Sequence, residues 1–148
     1  MDENIEDWVD NSMLCLDSNL VSDYLTGHEP AQEFLDAHQH EDLVVTATTM
    51  VELYIGAHHG QFHGDLDDIR EAIGWLGLDV LQHDHRSALE TARLQRDLID
   101  RRTPLTATAA MIAGVARMNG ATLATNDSDF LNDEVRSVLD VVEYYREQ

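Results

Sequence analysis

Carboxylates stand just past the ends of short apolar runs at widely separated points of this chain. Asp17 follows Met13-Leu14-Cys15-Leu16, and Glu52 lies a few residues after Leu43-Val44-Val45-Thr46-Ala47. Asp127 and Asp129 follow Ala121-Thr122-Leu123-Ala124-Thr125. Carboxylates crowded into one cleft repel each other unless they are protonated or share a cation. Their oxygens are the hard donors that a divalent ion of the Mg2+ type prefers. The chemistry to expect from these residues is that of a divalent-metal site, provided the fold brings them together.

An α/β domain would do so. Short apolar runs separated by helical segments read as parallel strands, and ligand sites in such domains form at the strand C-terminal edge. Strands are expected at Met13 to Leu16, Leu43 to Ala47, Leu78 to Leu81, Thr122 to Thr125 and Val138 to Val142. Between them the sequence predicts a helix after Asp17 ending at Gly27, with Ser18 or Asn19 as N-cap, and a second helix from Ala31 to His38. Thr48 or Thr49 is expected to cap a third helix carrying Met50, Val51, Leu53, Tyr54 and Ile55. Leu66 to Leu76 and His85 to Arg101 read as amphipathic helices. After Pro104, Thr106 or Thr108 is expected to cap a small-residue helix from Ala109 to Met118, stopped by Asn119-Gly120. Phe130 and Leu131 close a short turn or helix. Residues 1–12 read as an acidic N-terminal extension and residues 13–148 as one domain, with no repeat or linker.

The 148 residues include no lysine; nine arginines face 29 acids, for a net charge of -20. In dilute buffer so acidic a surface repels both nucleic acid and other copies of itself. In molar salt the Debye length falls to roughly 3 Å and the long-range repulsion is screened. The composition therefore resembles that of proteins from salt-accumulating halophiles, the competing reading being an acidic mimic of nucleic acid. No run is long enough to span a membrane and no export signal opens the chain, so a cytoplasmic protein is expected. The lone Cys15 lies inside an apolar run and reads as a core residue.

Four local patterns, in order and over nearly the whole chain from Met13, resemble those of PIN domains, specifically the VapC-type ribonuclease toxins of toxin–antitoxin pairs. Leu14-Cys15-Leu16-Asp17-Ser18-Asn19 resembles the first strand, first acid and following polar pair. Thr46 to Ala57, T-A-T-T-M-V-E-L-Y-I-G-A, resembles the second motif with its acid at Glu52. Thr108 to Phe130 resembles the last two motifs run together, with Asp127 as the fourth acid. The third acid is missing, because Ala109 stands at its position. The resemblance implies a three-layer α/β/α domain with a central, mostly parallel sheet, and a Mg2+- or Mn2+-dependent RNA endonuclease. Asp17, Glu52 and Asp127 would be its catalytic and metal-binding acids, with Asp129 a nearby reserve ligand. Ser18, Asn19 and Asn126 would orient waters or phosphate oxygens. It also implies a homodimer and a VapB-like antitoxin that lays a helix and an arginine into the acidic site. Phosphodiester hydrolysis needs a hydroxide nucleophile and neutralised phosphate charge, and carboxylate-held metals supply both.

Each residue also has a plainer reading. Asp17 suits a helix start, Glu52 an exposed helical position, and the Asp127/Asp129 pair a turn with an N-cap. His58, His59 and His63 have a metal-like spacing in a glycine-containing loop, without cysteine partners; His83 and His85 read as surface residues. Arg86, Arg93, Arg96, Arg101 and Arg102 concentrate the basic charge on one predicted helix and its end. They suit either intrahelical pairing with Glu90, Asp97 and Asp100 or contact with RNA phosphates. The apolar stripes at 17–27 and 43–56 suit core, homodimer face or antitoxin groove. With Ala109 as the native residue, the alternative function is a catalytically inactive PIN-like RNA- or protein-binding module. A phosphate-monoester hydrolase would carry Asp-x-Asp after the first strand, where this chain has Asp17-Ser18-Asn19.

Overall fold

Both faces of every central strand are apolar, and the chain covers both with helices. The computed structural model describes residues 12–59 and 64–145, so most of the expected extension, and His63, lie outside the described residues. Five strands form one sheet: β1 (Met13–Leu16), β2 (Asp42–Thr46), β3 (Asp79–Leu81), β4 (Thr122–Thr125) and β5 (Val141–Glu143). Their order is β3-β2-β1-β4-β5. Every pairing is parallel, Leu14 lying opposite Leu43 on one side and Thr122 on the other. The sheet is thus wholly rather than mostly parallel.

Alternation along the strands divides the core in two. Leu14, Leu16, Val45 and Ala124 face one cluster, completed by Leu20, Leu35, Leu53, Ile69 and Ile73. These come from helices α1 (Ser18–Leu25), α2 (Glu29–Ala37), α3 (Ala47–His58) and α4 (Leu66–Trp75). Cys15, Val44 and Leu123 face the other cluster, with Leu94, Leu98, Ile112, Ala113, Phe130 and Val135. Those come from α5 (His85–Asp100), α6 (Ala107–Met118) and the single turns α7 (Ser128–Leu131) and α8 (Asp133–Arg136). Each buried leucine or isoleucine contributes about 1.5–3 kcal/mol of transfer free energy. The result is helices, sheet, helices: three layers. Cys15 is fully buried, and burial followed by the nearby Asp17 charge pushes its thiol up to about 12, so it is an inert core residue.

The caps of α1 and α3 differ from expectation for one physical reason. The capping residue must have extended backbone, and the last residue leaving a strand already does. Asp17, at φ -75° and ψ 162°, caps α1 in place of Ser18 or Asn19. Thr46 caps α3 in place of Thr48 or Thr49, accepting from the Thr49 amide, so β2 ends one residue earlier than expected. Thr106, one of the two expected caps, does cap α6, which starts at Ala107 rather than Ala109, and α2 starts at Glu29 rather than Ala31. The last strand begins at Val141 rather than Val138, because Asn132 caps the extra helical turn α8 first.

α5 and α6 pack as a hairpin, tied at its loop end by Gln95, whose amide both donates to the Leu105 carbonyl and accepts from its N–H. Gly114 permits the approach: a Cβ there would lie 2.0 Å from Thr91 Oγ1 and 2.7 Å from Thr91 Cα. This hairpin sets the height of the first turn of α6 relative to the sheet.

Candidate active site

Parallel strands all end at one edge, so Asp17 after β1, α3 after β2, and Asn126-Asp127 after β4 share it. α6 runs back toward the start of β4 through the Asn119-Gly120 turn, which places its N-terminus, with Ala109, at the same edge.

Asp17 is the centre of the site and is only 4% exposed. Its two oxygens are held separately: Oδ1 accepts from the Ser18 amide at 2.9 Å, and Oδ2 from the Thr125 hydroxyl at 2.6 Å. Its own amide donates to the Ala124 carbonyl at 3.0 Å, extending the β1–β4 ladder by one residue. Thr125 also accepts from the Asp127 amide at 3.0 Å. A single buried hydroxyl therefore links the first and last acids.

Glu52, on the second turn of α3, is solvent-exposed as a residue, with its carboxyl within electrostatic reach of Asp17, Ser18 and Asp127. Both key acids are shifted upward. Burial is the main cause for Asp17, with the Asp127 charge adding to it and the Thr125 and Ser18 bonds opposing it. Partial burial also leads for Glu52, followed by the charge on Asp17 and, more weakly, on Asp127. The charges acting on these two acids are other carboxylates.

The remaining expected residues fall around this group. Asp127 is half-buried and caps α7 by accepting from the Asp129 amide at 2.9 Å. The Asn19 side-chain amide donates to Asn126 Oδ1 at 3.0 Å, bridging the ends of β1 and β4. Asp129 is not brought into the group: it is exposed and lines a separate cleft of about 300 Å³ with Thr103, Pro104, Thr106 and Asn132. Ala109 is 7% exposed and packs in the apolar cluster with Leu105 and Phe130, and the first turn of α6 carries no acid. Among the described residues no three or more His, Cys, Asp or Glu side chains close into a metal-holding group. The rings of His58 and His59 pack edge-to-face at 5.5 Å. His83 Nδ1 lies 3.2 Å from the Ser87 hydroxyl, which belongs to the capping box of α5.

Thr125 and Thr46 are the structural contributors that sequence reasoning missed. The available signal was position: each is the last residue of its strand, where a hydroxyl can turn toward the edge.

The donor set fits a divalent ion. It is oxygen-only, mutually repelling and partly dehydrated, and Mg2+ needs just one or two direct protein carboxylates when it keeps its waters.

The PIN-domain pattern matches residues 14–133. The chain therefore belongs to the PIN domain family, whose members are typically nucleases. No match to a curated protein sequence emerges. Several solved structures share the fold. VapBC2 from Rickettsia felis, bound to a DNA fragment from its promoter, aligns with a TM-score of 0.71 at 14% identity, covering 90% of this chain and 99% of that one. A toxin–antitoxin complex from Klebsiella pneumoniae aligns at 0.70 and 20%, covering 89% and 98%. FitAcB from Neisseria gonorrhoeae aligns at 0.69 and 22%, covering 90% and 98%.

Proposed function

We propose that this chain is built as a metal-dependent RNA endonuclease, the toxin of a toxin–antitoxin pair, and that Ala109 weakens it. The observation that carries this reading is the buried Asp17 held at the strand edge with Glu52 and Asp127 in electrostatic reach and no basic side chain among the charges acting on it. So arranged, carboxylates are costly unless a cation joins them. Asp17 and Glu52 would hold the ion, Asp127 would complete the shell directly or through water, and Mg2+ or Mn2+ is the ion of choice. When bound, the ion activates water and neutralises phosphate charge. Thr125 and the Ser18 amide fix the orientation of Asp17, and the Asn19–Asn126 bridge offers amide groups to phosphate oxygens or waters.

Two further features support the toxin reading. Structural neighbours include VapBC and FitAcB complexes and a toxin–antitoxin complex. An apolar groove of about 500 Å³ runs between α3 and α4, lined by Val51, Tyr54, Ile55 and Leu66. It suits the helix of an antitoxin, with homodimer formation as the companion interaction. A cytoplasmic, salt-adapted setting accords with the charge; no helix among the described residues is long and apolar enough to cross a membrane.

Ala109 also favours a second reading. Its burial among apolar side chains is what a catalytically inactive PIN-like RNA- or protein-binding module would show. Calorimetric titration with Mn2+ in high KCl separates the two. The nuclease reading predicts weak binding that is lost in Asp17→Asn and tightened at least tenfold in Ala109→Asp. An absence of binding in both the original chain and Ala109→Asp selects the module.

A further inference from the structure

The α5–α6 hairpin reverses the charge of the molecule it belongs to. Between His85 and Met118 lie six of the nine arginines, against three acids, Glu90, Asp97 and Asp100. The rest of the chain carries 26 acids and three arginines. The structure then shows which of these cations the fold consumes. Arg117 Nε donates to Glu90 at 2.7 Å and its guanidinium also reaches the Val138 carbonyl, so Arg117 is structural. Arg93 reaches the same Glu90 at 3.6 Å, and Arg101 reaches Glu134 of α8 at 3.3 Å. Arg86, Arg96 and Arg102 are exposed and make no ion pair among the described residues. Arg86 stands close enough to Asp84 to help hold its carboxyl down, without pairing with it.

Their placement is linear. α5 buries Leu94 and Leu98 against the sheet, and at 100° per residue Arg86, Arg93 and Arg96 fall on the side away from them. Sixteen residues at 1.5 Å per residue make α5 about 24 Å long. At one end, Arg86, Arg93 and Arg117 line a shallow cleft of about 310 Å³ together with Glu90, which Arg93 and Arg117 neutralise. At the other, Arg101 and Arg102 lead into the loop from Thr103 to Thr106 that starts α6 at the catalytic edge. Leu89 and Ile99 lie between the arginines, 50% and 56% exposed.

We propose that the outer face of α5, with Arg102 at its catalytic end, is a tracking surface for the backbone of an RNA strand whose scissile phosphate sits at Asp17. The inference rests on the nuclease reading for its substrate. A phosphate every few ångströms along a strand matches a row of guanidinium groups, each able to bind two phosphate oxygens at once. Such bidentate contacts keep their direct hydrogen bonds when salt screens the long-range field. The acidic remainder of the surface repels the strand, so the hairpin is the one basic approach among the described residues. Leu89 and Ile99 offer apolar contact to unstacked bases.

The test is fluorescence anisotropy with a labelled single-stranded RNA oligonucleotide and EDTA, from the lowest KCl at which the chain is folded upward. The triple variant Arg86→Gln/Arg96→Gln/Arg102→Gln is expected to bind roughly 10- to 100-fold more weakly and to lower the salt slope by about 2. The matching triple arginine-to-lysine variant should retain the slope, and Arg70→Gln on α4 should change nothing. A failure of the original chain to bind RNA, or unchanged affinity and slope in the folded glutamine triple, overturns the proposal. Unchanged RNA binding with a lost dimer in sedimentation also overturns it, and assigns the face to a second copy of this chain. If Ala109→Asp cleaves RNA but the triple variant binds normally, the nuclease reading stands and the tracking surface falls. RNA binding that depends on the stripe, with no cleavage by Ala109→Asp, gives the reverse result.

Discussion

At the residue scale, Asp17 is held in a state its surroundings do not favour. Burial raises its carboxyl, so its folded value lies above its unfolded one. For a carboxylate this sign means that stability is highest below the ordinary carboxylate range and falls as pH rises through the raised folded value. Without divalent ions, the chain should therefore lose stability between acidic and neutral pH through this group. Asp17→Asn should remove that loss and raise the neutral-pH melting temperature by about 2–4 °C. Thermal melts of both proteins in EDTA across that pH range check this, and added Mn2+ should stabilise the original chain alone. Asp17, Glu52 and Asp127 were legible in the sequence because each follows an apolar run that could only be a strand or lead from one. Thr125 was not, since a threonine ending a strand is ordinary until the edge it faces is known. Asp129 looked as good as Asp127 in sequence, but α7 turns it away into another cleft.

At the element scale, the strand runs and long helices were readable from periodicity, while the caps were not. Sequence offers several Ser, Thr or Asp candidates near each helix start, and at α1 and α3 the winner is the one whose backbone is still extended as it leaves the strand. The extra turn of α8 was hidden because Val138 continues an apolar run that the Asn132 cap interrupts from upstream. The α5–α6 packing yields a prediction of opposite signs for one substitution. Gly114→Ala places a methyl against Thr91 Oγ1 and Cα and should cost about 1–3 kcal/mol. Gly74→Ala on α4 meets open space and should add roughly 0.5–1 kcal/mol. Urea unfolding of the two variants measures both, and the Gly114 variant should also disturb the site, because the hairpin positions the first turn of α6.

At the scale of the whole molecule, charge is the dominant fact. Composition made the -20 net charge legible at once, and spacing placed five of the nine arginines on one helix and its end. Only the packing showed that Arg117 joins them and is spent on Glu90. If the surface is adapted to salt, folding should be incomplete in dilute buffer and cooperative only as KCl rises toward molar levels. Circular dichroism across a KCl titration reads this directly, and full folding at low salt without divalent ions contradicts it.

The central claim is that the edge formed by Asp17, Glu52 and Asp127 is a nuclease site short of one ligand. Its most direct test is Mn2+-dependent cleavage of RNA in high salt by the original chain, Ala109→Asp, and Ala109→Asp/Asp17→Asn. The third carboxylate should fix ion geometry and raise cleavage by about two or more orders of magnitude over the original chain. The double variant should lose that gain, because the ligand charge of Asp17 is gone while its shape remains. Equal inertness of all three folded proteins would contradict the claim, and efficient cleavage by the original chain would show that the site lacks nothing at Ala109.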